Sequence, residues 1–523
     1  MRITNSMMSS RMMLNINRNM RLLDNLQMQF ATGKRIQFPS DNPIVASRAL
    51  SFRTTVAQNL QHQRNVDQAE SWMEVTESGF FEVSSVLTRI NELVVQGDAL
   101  ENVSGMRDIA TQISTLMDQL GLAMNQSYTG RYLFSGFRTD QPGVLLRDDP
   151  TLRFNDITQR FTQRNVEQIS AFQRFGPGER PEVTEASVLK LPYTFAENVR
   201  VTIDASEFTQ DQIDAMEDDH PLVDNPVTTP AALATALAGA SEGDIIRFTY
   251  AGTDQIIIFA SQRTANGPNA DQDTFRPGEF EIFHSQDTGQ LVLGSAFAGA
   301  NTFDVQYDKE GFSKGDLNPI VYFTATSGPN GNPPNRTFTM DGHQIEFEFG
   351  VGTRFAVNSL AKDVLPAHLV ADLRSFAGTV LNIELAERTQ ILAALRANPA
   401  HQPPNDVPSE EDFGKMADEQ MANEQQWAMT TIQSKFSNMI GLLEGHSSTL
   451  SRHQTDLGAR MNRLDLTRER LERDEITFEL ILSQNEDVDL AEVAMRLRSA
   501  ESVYQASLQA GINMVQLSLA NFL

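Results

Sequence analysis

The stretch from Asp487 to Leu523, DVDLAEVAMRLRSAESVYQASLQAGINMVQLSLANFL, restricts what this chain can fold into more than any other. Apolar or small residues fall at Leu490, Ala494, Leu497, Tyr504, Leu508, Ile512, Val515, Leu519 and Phe522, mostly three or four apart, and Glu501 interrupts the line. A period near 3.5 is that of a helix packing along another helix. Each large seam side chain gains roughly 1.5–3 kcal/mol on full burial. Ordering the backbone costs about 1–2 kcal/mol per residue. A seam with nothing to bury against cannot offset that cost, so it requires a partner helix, in the same chain or in another subunit. The apolar ending Phe522-Leu523 points the same way, to an end that docks.

The expected partner lies at the other end. Met12, Ile16, Leu23, Leu26 and Phe30 share one helix face, with Asn19 the polar interruption. The pattern breaks at Gly33. Ala31 to Pro43 reads as a loop, with two prolines and the capping candidates Ser40, Asp41 and Asn42. A second helix from near Ile44 becomes a heptad at Val66, Ala69, Met73, Thr76, Phe80, Val83, Leu87, Ile90 and Val94. A third carries Met106, Ile109, Ile113, Leu116, Leu120 and Ala123.

After Tyr128 to Phe137 the rhythm changes. Between Asp140 and Leu365 the clusters Ile245 to Ser261, Glu279 to Phe283, Leu291 to Leu293, Phe303 to Tyr307, Ile320 to Thr324 and Phe338 to Phe349 read as strands between turn signals. Helical spacing returns at Leu369, Leu373, Phe376, Val380 and Ile383. Asn398 to Asp412 reads as a linker. The longest run follows: Ile432, Phe436, Met439, Leu443, Leu450, Leu457, Leu464, Leu471, Phe478 and Ile481, with His446, His453, Arg460, Thr467 and Asp474 at intervening seam positions. As one helix of about 50 residues it would span roughly 75 Å.

The expected class is α+β: a long antiparallel, coiled-coil helical rod built from both chain ends, with an inserted β-rich outer part. Residues 1–40 and 485–523 form one helical domain, 41–139 and 366–484 a second. Residues 140–365 form the insertion, in one piece or in two divided near 226–243.

Composition excludes several functions. The formal net charge of −26 disfavours nucleic acid and anionic membrane as partners. With no cysteine there is no disulfide, zinc–thiolate site or thiol nucleophile. No stretch approaches 18 consecutive apolar residues, so no membrane insertion is expected. The basic start lacks the apolar core of a cleaved signal peptide. It could mimic a transit peptide, but the helical pattern runs on through it. No GxSxG, HExxH or GxGxxG occurs. His446 and His453 are seven apart, too far for an i, i+4 metal pair, and read as polar seam residues. Glu410-Glu411-Asp412 and Glu486, Asp487 and Asp489 read as solvated faces or helix starts. Asp308 to Gly315 lacks calcium-loop spacing. Arg468, Arg470 and Arg473, alternating with Glu469, Glu472 and Glu475, read as ion-paired flanks of a coiled coil. No catalytic residue, cofactor or metal is expected, and the chain does not read as an enzyme.

Several separate motifs carry a resemblance. Met1-Arg-Ile-Thr-Asn-Ser-Met-Met8, Ala31-Thr-Gly-Lys-Arg-Ile with Ser40, Asp41 and Pro43, and Tyr132-Leu-Phe-Ser-Gly136 resemble the flagellin superfamily. So do Leu457-Gly-Ala-Arg-Met-Asn-Arg-Leu464, Asp487-Val-Asp-Leu-Ala-Glu492 and Leu517-Ser-Leu-Ala-Asn-Phe-Leu523. Within it they are most similar to the hook–filament junction subunits of bacterial flagella, with filament flagellin the nearest alternative and a surface adhesin a more distant one. The resemblance covers about the first 140 and last 110 residues. It implies an inner tube of terminal helices, often disordered in the free monomer, a helical rod and an outermost β-rich part. It also implies an extracellular flagellar location, reached by type III export without a cleaved signal. The implied partners are a ring of its own copies, the preceding hook-associated junction protein, flagellin and a cytoplasmic export chaperone at the C-terminal region.

Overall fold

The computed structural model describes residues 5–172, 183–219, 227–250, 253–263, 277–286, 288–329, 334–339, 344–350, 352–383, 387–397 and 408–520. In chain order come α1 (Asn5–Thr32), α2 (Pro43–Asp98), α3 (Val103–Met124), β1 (Ser127–Tyr128), β2 (Arg131–Tyr132), β3 (Asp149–Thr162), β4 (Glu167–Phe172), β5 (Val183–Lys190) and β6 (Ala196–Asp204). Then follow α4 (Gln210–Asp219), α5 (Pro230–Gly239), β7 (Ile245–Tyr250), β8 (Thr253–Phe259), β9 (Ser261–Arg263), β10 (Ile282–Ser285), β11 (Gln290–Leu293) and β12 (Thr302–Phe312). Last are β13 (Thr324–Ser327), β14 (Thr337–Phe338), β15 (Glu346–Gly350), β16 (Thr353–Ala356), α6 (Ala367–Asn382), α7 (Arg388–Ala397), α8 (Glu410–Glu486) and α9 (Leu490–Ala520).

The ends of the helices are written locally. Asn42 accepts from the Val45 amide at 3.3 Å and Pro43 opens α2, where its missing N–H costs nothing. Asn102 caps α3 through the Gly105 amide. Ser409 and Asp412 cap α8 reciprocally, the Asp412 amide donating to Ser409 Oγ at 3.2 Å and the Ser409 amide to Asp412 at 3.3 Å. That cap starts α8 well before Ile432, so it runs 77 residues where the apolar run alone suggested about 50.

The chain divides into two compact units: Met1–Glu70, Phe347–Phe355 and Met461–Leu523 form the first, Ser71–Glu346 and Ala356–Arg460 the second. In the first, α1 packs on α9, and the start of α2 packs on the end of α8. Asn59 donates to the Leu471 carbonyl at 2.8 Å, Gln63 to Glu475 at 2.7 Å, and Arg468 pairs with Asp67 and Glu70. Parts of β15 and β16 belong here too: Asn65 donates to the Glu348 carbonyl, and Arg463 lies 4.8 Å over the Phe355 ring.

In the second unit every heptad residue from Ala69's neighbours onward, Met73, Thr76, Phe80, Val83, Leu87, Ile90 and Val94, is buried, as are Ile432, Phe436, Met439, Leu443 and Leu450 of α8. A seven-stranded sheet runs β14-β13-β3-β12-β6-β8-β7, and a five-stranded sheet β4-β5-β11-β10-β9. Their pairs are antiparallel except β9 with β10. Strands from both sides of 226–243 share both sheets, and that segment itself holds α5, capped by Thr229. Ile320 to Thr324 corrects the strand reading: Pro319–Tyr322 is a single helical turn capped by Asn318, and β13 starts only at Thr324. A short, fully buried apolar run carries no period that separates the two.

Candidate functional site: the paired terminal helices

Gly33, with φ +68°, ends α1 and turns the chain toward the junction of α8 and α9. There Lys34 forms an antiparallel bridge with Asp487. The Arg35 amide donates to the Glu486 carbonyl at 2.6 Å, and the Val488 amide to the Gly33 carbonyl at 3.1 Å. Side chains repeat the tie. Lys34 Nζ lies 2.7 Å from Asp487 and 3.3 Å from Glu486, and Arg53 Nε donates to Glu486 at 2.9 Å while its Nη2 reaches the other oxygen. Glu486 is 2% exposed, and its bond to Arg53, with Lys34 behind it, holds the carboxyl below its usual range. Asp489 caps α9 through the Ala491 amide at 2.8 Å. Thus the loop and the Asp487 motif meet in space, which their separate places in the sequence did not reveal. A cavity of about 390 Å³ flanks this joint, lined among others by Ile36, Phe38, Pro43, Ala46 and Leu50.

From the joint α1 and α9 run antiparallel. Leu26, Val493 and Ala500 are buried together, with Leu23, Val488 and Leu497 against them. Farther along, Asn19 donates to Ser507 Oγ at 2.8 Å, so the polar break in one seam meets a polar residue in the other. Beyond it a methyl on Gly511 would sit 3.4 Å from Ile16 Cδ1 and 3.9 Å from Met12 Cε. The seam of α9 is therefore Val493, Leu497, Ala500, Tyr504, Ser507 and Gly511. Met12, Ile16, Leu23, Leu497 and Tyr504 are half-buried and Leu26 is buried. Phe30, Leu490, Leu508 and Ile512 are exposed. The last three lie roughly a quarter-turn round α9 from the seam at 3.6 residues per turn. The side chains of Val515 and Leu519, and all of Phe522, lie outside the described residues.

What sequence reasoning missed is the role of small residues. Ala500, Ser507 and Gly511 let the two helices approach, and large apolar side chains are turned outward instead. Met7, Met13, Leu14, Met20 and Met28 of α1 are exposed, as are Leu490, Met495, Val503, Leu508 and Ile512 of α9. Leu14 is 67% and Met495 68% exposed. On α1, at 3.6 residues per turn, Met7, Leu14 and Met28 lie on the side away from the seam and Met13 and Met20 on its flank. An apolar surface of this extent on a helix pair marks an interaction face. Among the described residues no helix is long and apolar enough to cross a membrane. Among them, too, no group of three or more His, Cys, Asp or Glu is placed to hold a metal.

Two family descriptions match this chain: the bacterial flagellin N-terminal helical region at residues 3–139 and the bacterial flagellin C-terminal helical region at 440–523. The flagellar hook-associated protein 3 of Salmonella typhimurium is 32% identical over 142 residues, 27% of this chain and 45% of that protein. The protein of the same name from Escherichia coli is 33% identical over 114 residues, 21% of this chain and 36% of that one. The chain thus matches under half the length of these curated relatives. A flagellar hook-associated protein structure from Vibrio parahaemolyticus aligns over 86% of this chain and all of its own at 8% identity, with a TM-score of 0.36, too slight a likeness to carry an argument.

Proposed function

From a chain whose two ends match the bacterial flagellin N- and C-terminal helical regions, we propose a structural subunit of the bacterial flagellum that joins the hook to the filament. The observation that carries this reading is the outward apolar surface of the α1–α9 pair. The pair closes one seam within the chain and leaves a second set of large side chains to be covered by neighbours. Burying a large apolar side chain is worth roughly 1.5–3 kcal/mol, so even partial coverage of ten of them supports stable self-assembly.

In this reading residues 1–40 and 485–523 form the inner tube, 41–139 and 366–484 the rod around it, and 140–365 the outermost part. Met12, Ile16, Leu23, Leu26, Phe30, Leu490, Leu497, Tyr504, Leu508, Ile512, Val515, Leu519 and Phe522 belong to the assembling ends. Those facing the seam act by holding the pair together, and the exposed ones by contacting neighbours. The partners are further copies in a ring, the preceding hook-associated junction protein, flagellin, and an export chaperone at the C-terminal region. The location is the extracellular appendage, and the role is structural rather than enzymatic. The names of the two curated relatives support the junction over the filament.

Gold labelling of isolated flagella with an antibody against residues 196–312 tests the reading. A single short zone between hook and filament is expected. Label along the whole filament would make the protein flagellin, and label only on the cell surface away from flagella would remove it from the flagellum.

A further inference from the structure

The second unit gathers six ionisable side chains in one place, from four elements, Lys190 and His446 buried and the other four partly buried. Glu167 on β4, Lys190 on β5, His368 and Asp372 on α6, and Lys435 and His446 on α8 meet at the helix-facing side of the five-stranded sheet. Lys190 Nζ lies between Glu167 and Asp372, 3.2 Å from the latter. Lys435 Nζ lies 2.8 Å from Glu167. His446 Nε2 lies 3.6 Å from Asp372, and the His368 ring meets that of His446 at a tilt of 39° with centroids 4.8 Å apart. A cavity of about 730 Å³ opens beside them, with exposed Arg164 on its lining. Solvent and protons therefore reach the group without the unit unfolding.

The cluster is self-neutralised. Two lysines balance two carboxylates, and both imidazoles must be uncharged for the balance to hold. Buried ion pairs of this kind add little net stability over apolar packing, but an unbalanced buried charge is expensive. A proton on His368 would place a buried charge 4.8 Å from the His446 ring, with Lys190 already engaging Asp372, the nearest carboxylate. Burial, and then His446, hold His368 below its ordinary value of 6.5. Burial raises the Glu167 and Asp372 carboxyls, but each is held below its usual range, Glu167 by Lys190 and then Lys435, Asp372 by its contact with His446 and then Lys190. The sign follows. A histidine whose pKa is lowered in the closed state takes up its proton more readily in an open one, so closure weakens as pH falls below about 6.5.

We propose that this cluster is a pH-sensitive latch, which holds the β4–β5 edge of the five-stranded sheet to α6 and α8 at neutral pH and releases it in mild acid. Other ties across this face include the Gln290 to Ser375 hydrogen bond at 3.2 Å and that from Arg374 of α6 to the Pro192 carbonyl at 2.7 Å.

Hydrogen exchange of the full chain, read by mass spectrometry at pH 7.5, 6.5 and 5.5 and corrected for intrinsic rates, tests this. Exchange in β4, β5 and α6 is expected to rise at least tenfold between pH 7.5 and 5.5, and that of the β3–β12 pair less than threefold. His368→Gln, uncharged at every pH, is expected to abolish the rise while leaving the pH 7.5 pattern unchanged. Asp372→Asn, which unbalances the cluster, is expected to move the rise to higher pH. Should His368→Gln not fold at pH 7.5, His446→Gln removes the like-charge neighbour and is expected to suppress the rise in its place. No rise in the parent chain overturns the latch. So does an unchanged rise in either histidine variant, which would assign the acid response to another buried group such as His284.

Discussion

Gly97, near the end of α2, sets how closely α2 and α8 approach. A methyl built on it would lie 2.1, 2.5 and 2.7 Å from three ring atoms of Phe436. Carbon atoms rest at about 3.5–4.0 Å, so Gly97→Ala overlaps the ring by more than an ångström. The ring has no retreat. Phe436 is fully buried and meets Phe376 edge-on at 4.8 Å, 88° between planes. Overpacking of a filled core costs about 1–3 kcal/mol, and replacing a helical glycine with alanine returns at most about 1 kcal/mol of helix propensity, less at a helix end such as this. At this degree of overlap the steric cost wins, for a net loss of about 1–2 kcal/mol. Gly441 and Gly445 of α8 supply the control, because a methyl at either meets nothing within 4 Å. Alanine there should stabilise by up to about 1 kcal/mol. Urea titration of the purified monomer, followed by helical circular dichroism, should show the midpoint lowered for Gly97→Ala and unchanged or raised for Gly441→Ala and Gly445→Ala. A Gly97→Ala chain as stable as its parent would mean that Phe436 does not press on α2, and the close approach would be wrong.

Leu26→Asp places a carboxylate in the α1–α9 seam, where Leu26 is 7% exposed, and should cost the pair about 3 kcal/mol or more, seen as rapid amide exchange throughout α1. Leu14→Asp on the outer side should leave monomer exchange unchanged and reduce assembly. His284 is buried with neither ring nitrogen bonded, and burial lowers its pKa to about 4. An unfolded histidine titrates near 6.5, so the second unit should lose about 3 kcal/mol as pH falls from 6.5 to 4. His284→Leu should flatten that share of the pH profile in denaturant titrations. Glu486→Gln removes the anion that holds both Lys34 and Arg53, and should loosen the joint by about 1–2 kcal/mol. The loss stays small because both cations are half exposed and regain water.

The helical part of this fold was open to reading because its signal is periodic and long. The heptad of α2 from Val66 to Val94 and the leucine line of α8 are buried as their spacing requires. The α9 seam was harder for a physical reason. Two apolar lines run along that helix about a quarter-turn apart, and periodicity follows the larger side chains, Leu490, Leu508 and Ile512, which face outward. The inward line includes Ala500, Ser507 and Gly511, whose smallness is their function and leaves little hydropathy signal. Ion pairs were legible only as coiled-coil flanks, without their partners: Arg468 pairs with Asp67 and Glu70 of α2. The cluster around Lys190 draws on residues from 167 to 446. No local pattern could assemble it, because the sheet and helices had first to bring them together.

The central claim is that one face of each terminal helix closes within the chain and the large apolar side chains off that face close only between chains. The absence of cysteine makes this directly measurable with single introduced thiols. Leu14→Cys and Leu26→Cys chains would be treated with a water-soluble maleimide, as monomers and after incorporation into flagella. Leu14→Cys is expected to react at the rate of a free thiol in the monomer and at least tenfold more slowly in the assembled appendage. Leu26→Cys is expected to be slow in both. Equal labelling of Leu14→Cys before and after assembly would contradict the claim, because the outward face would then have no partner.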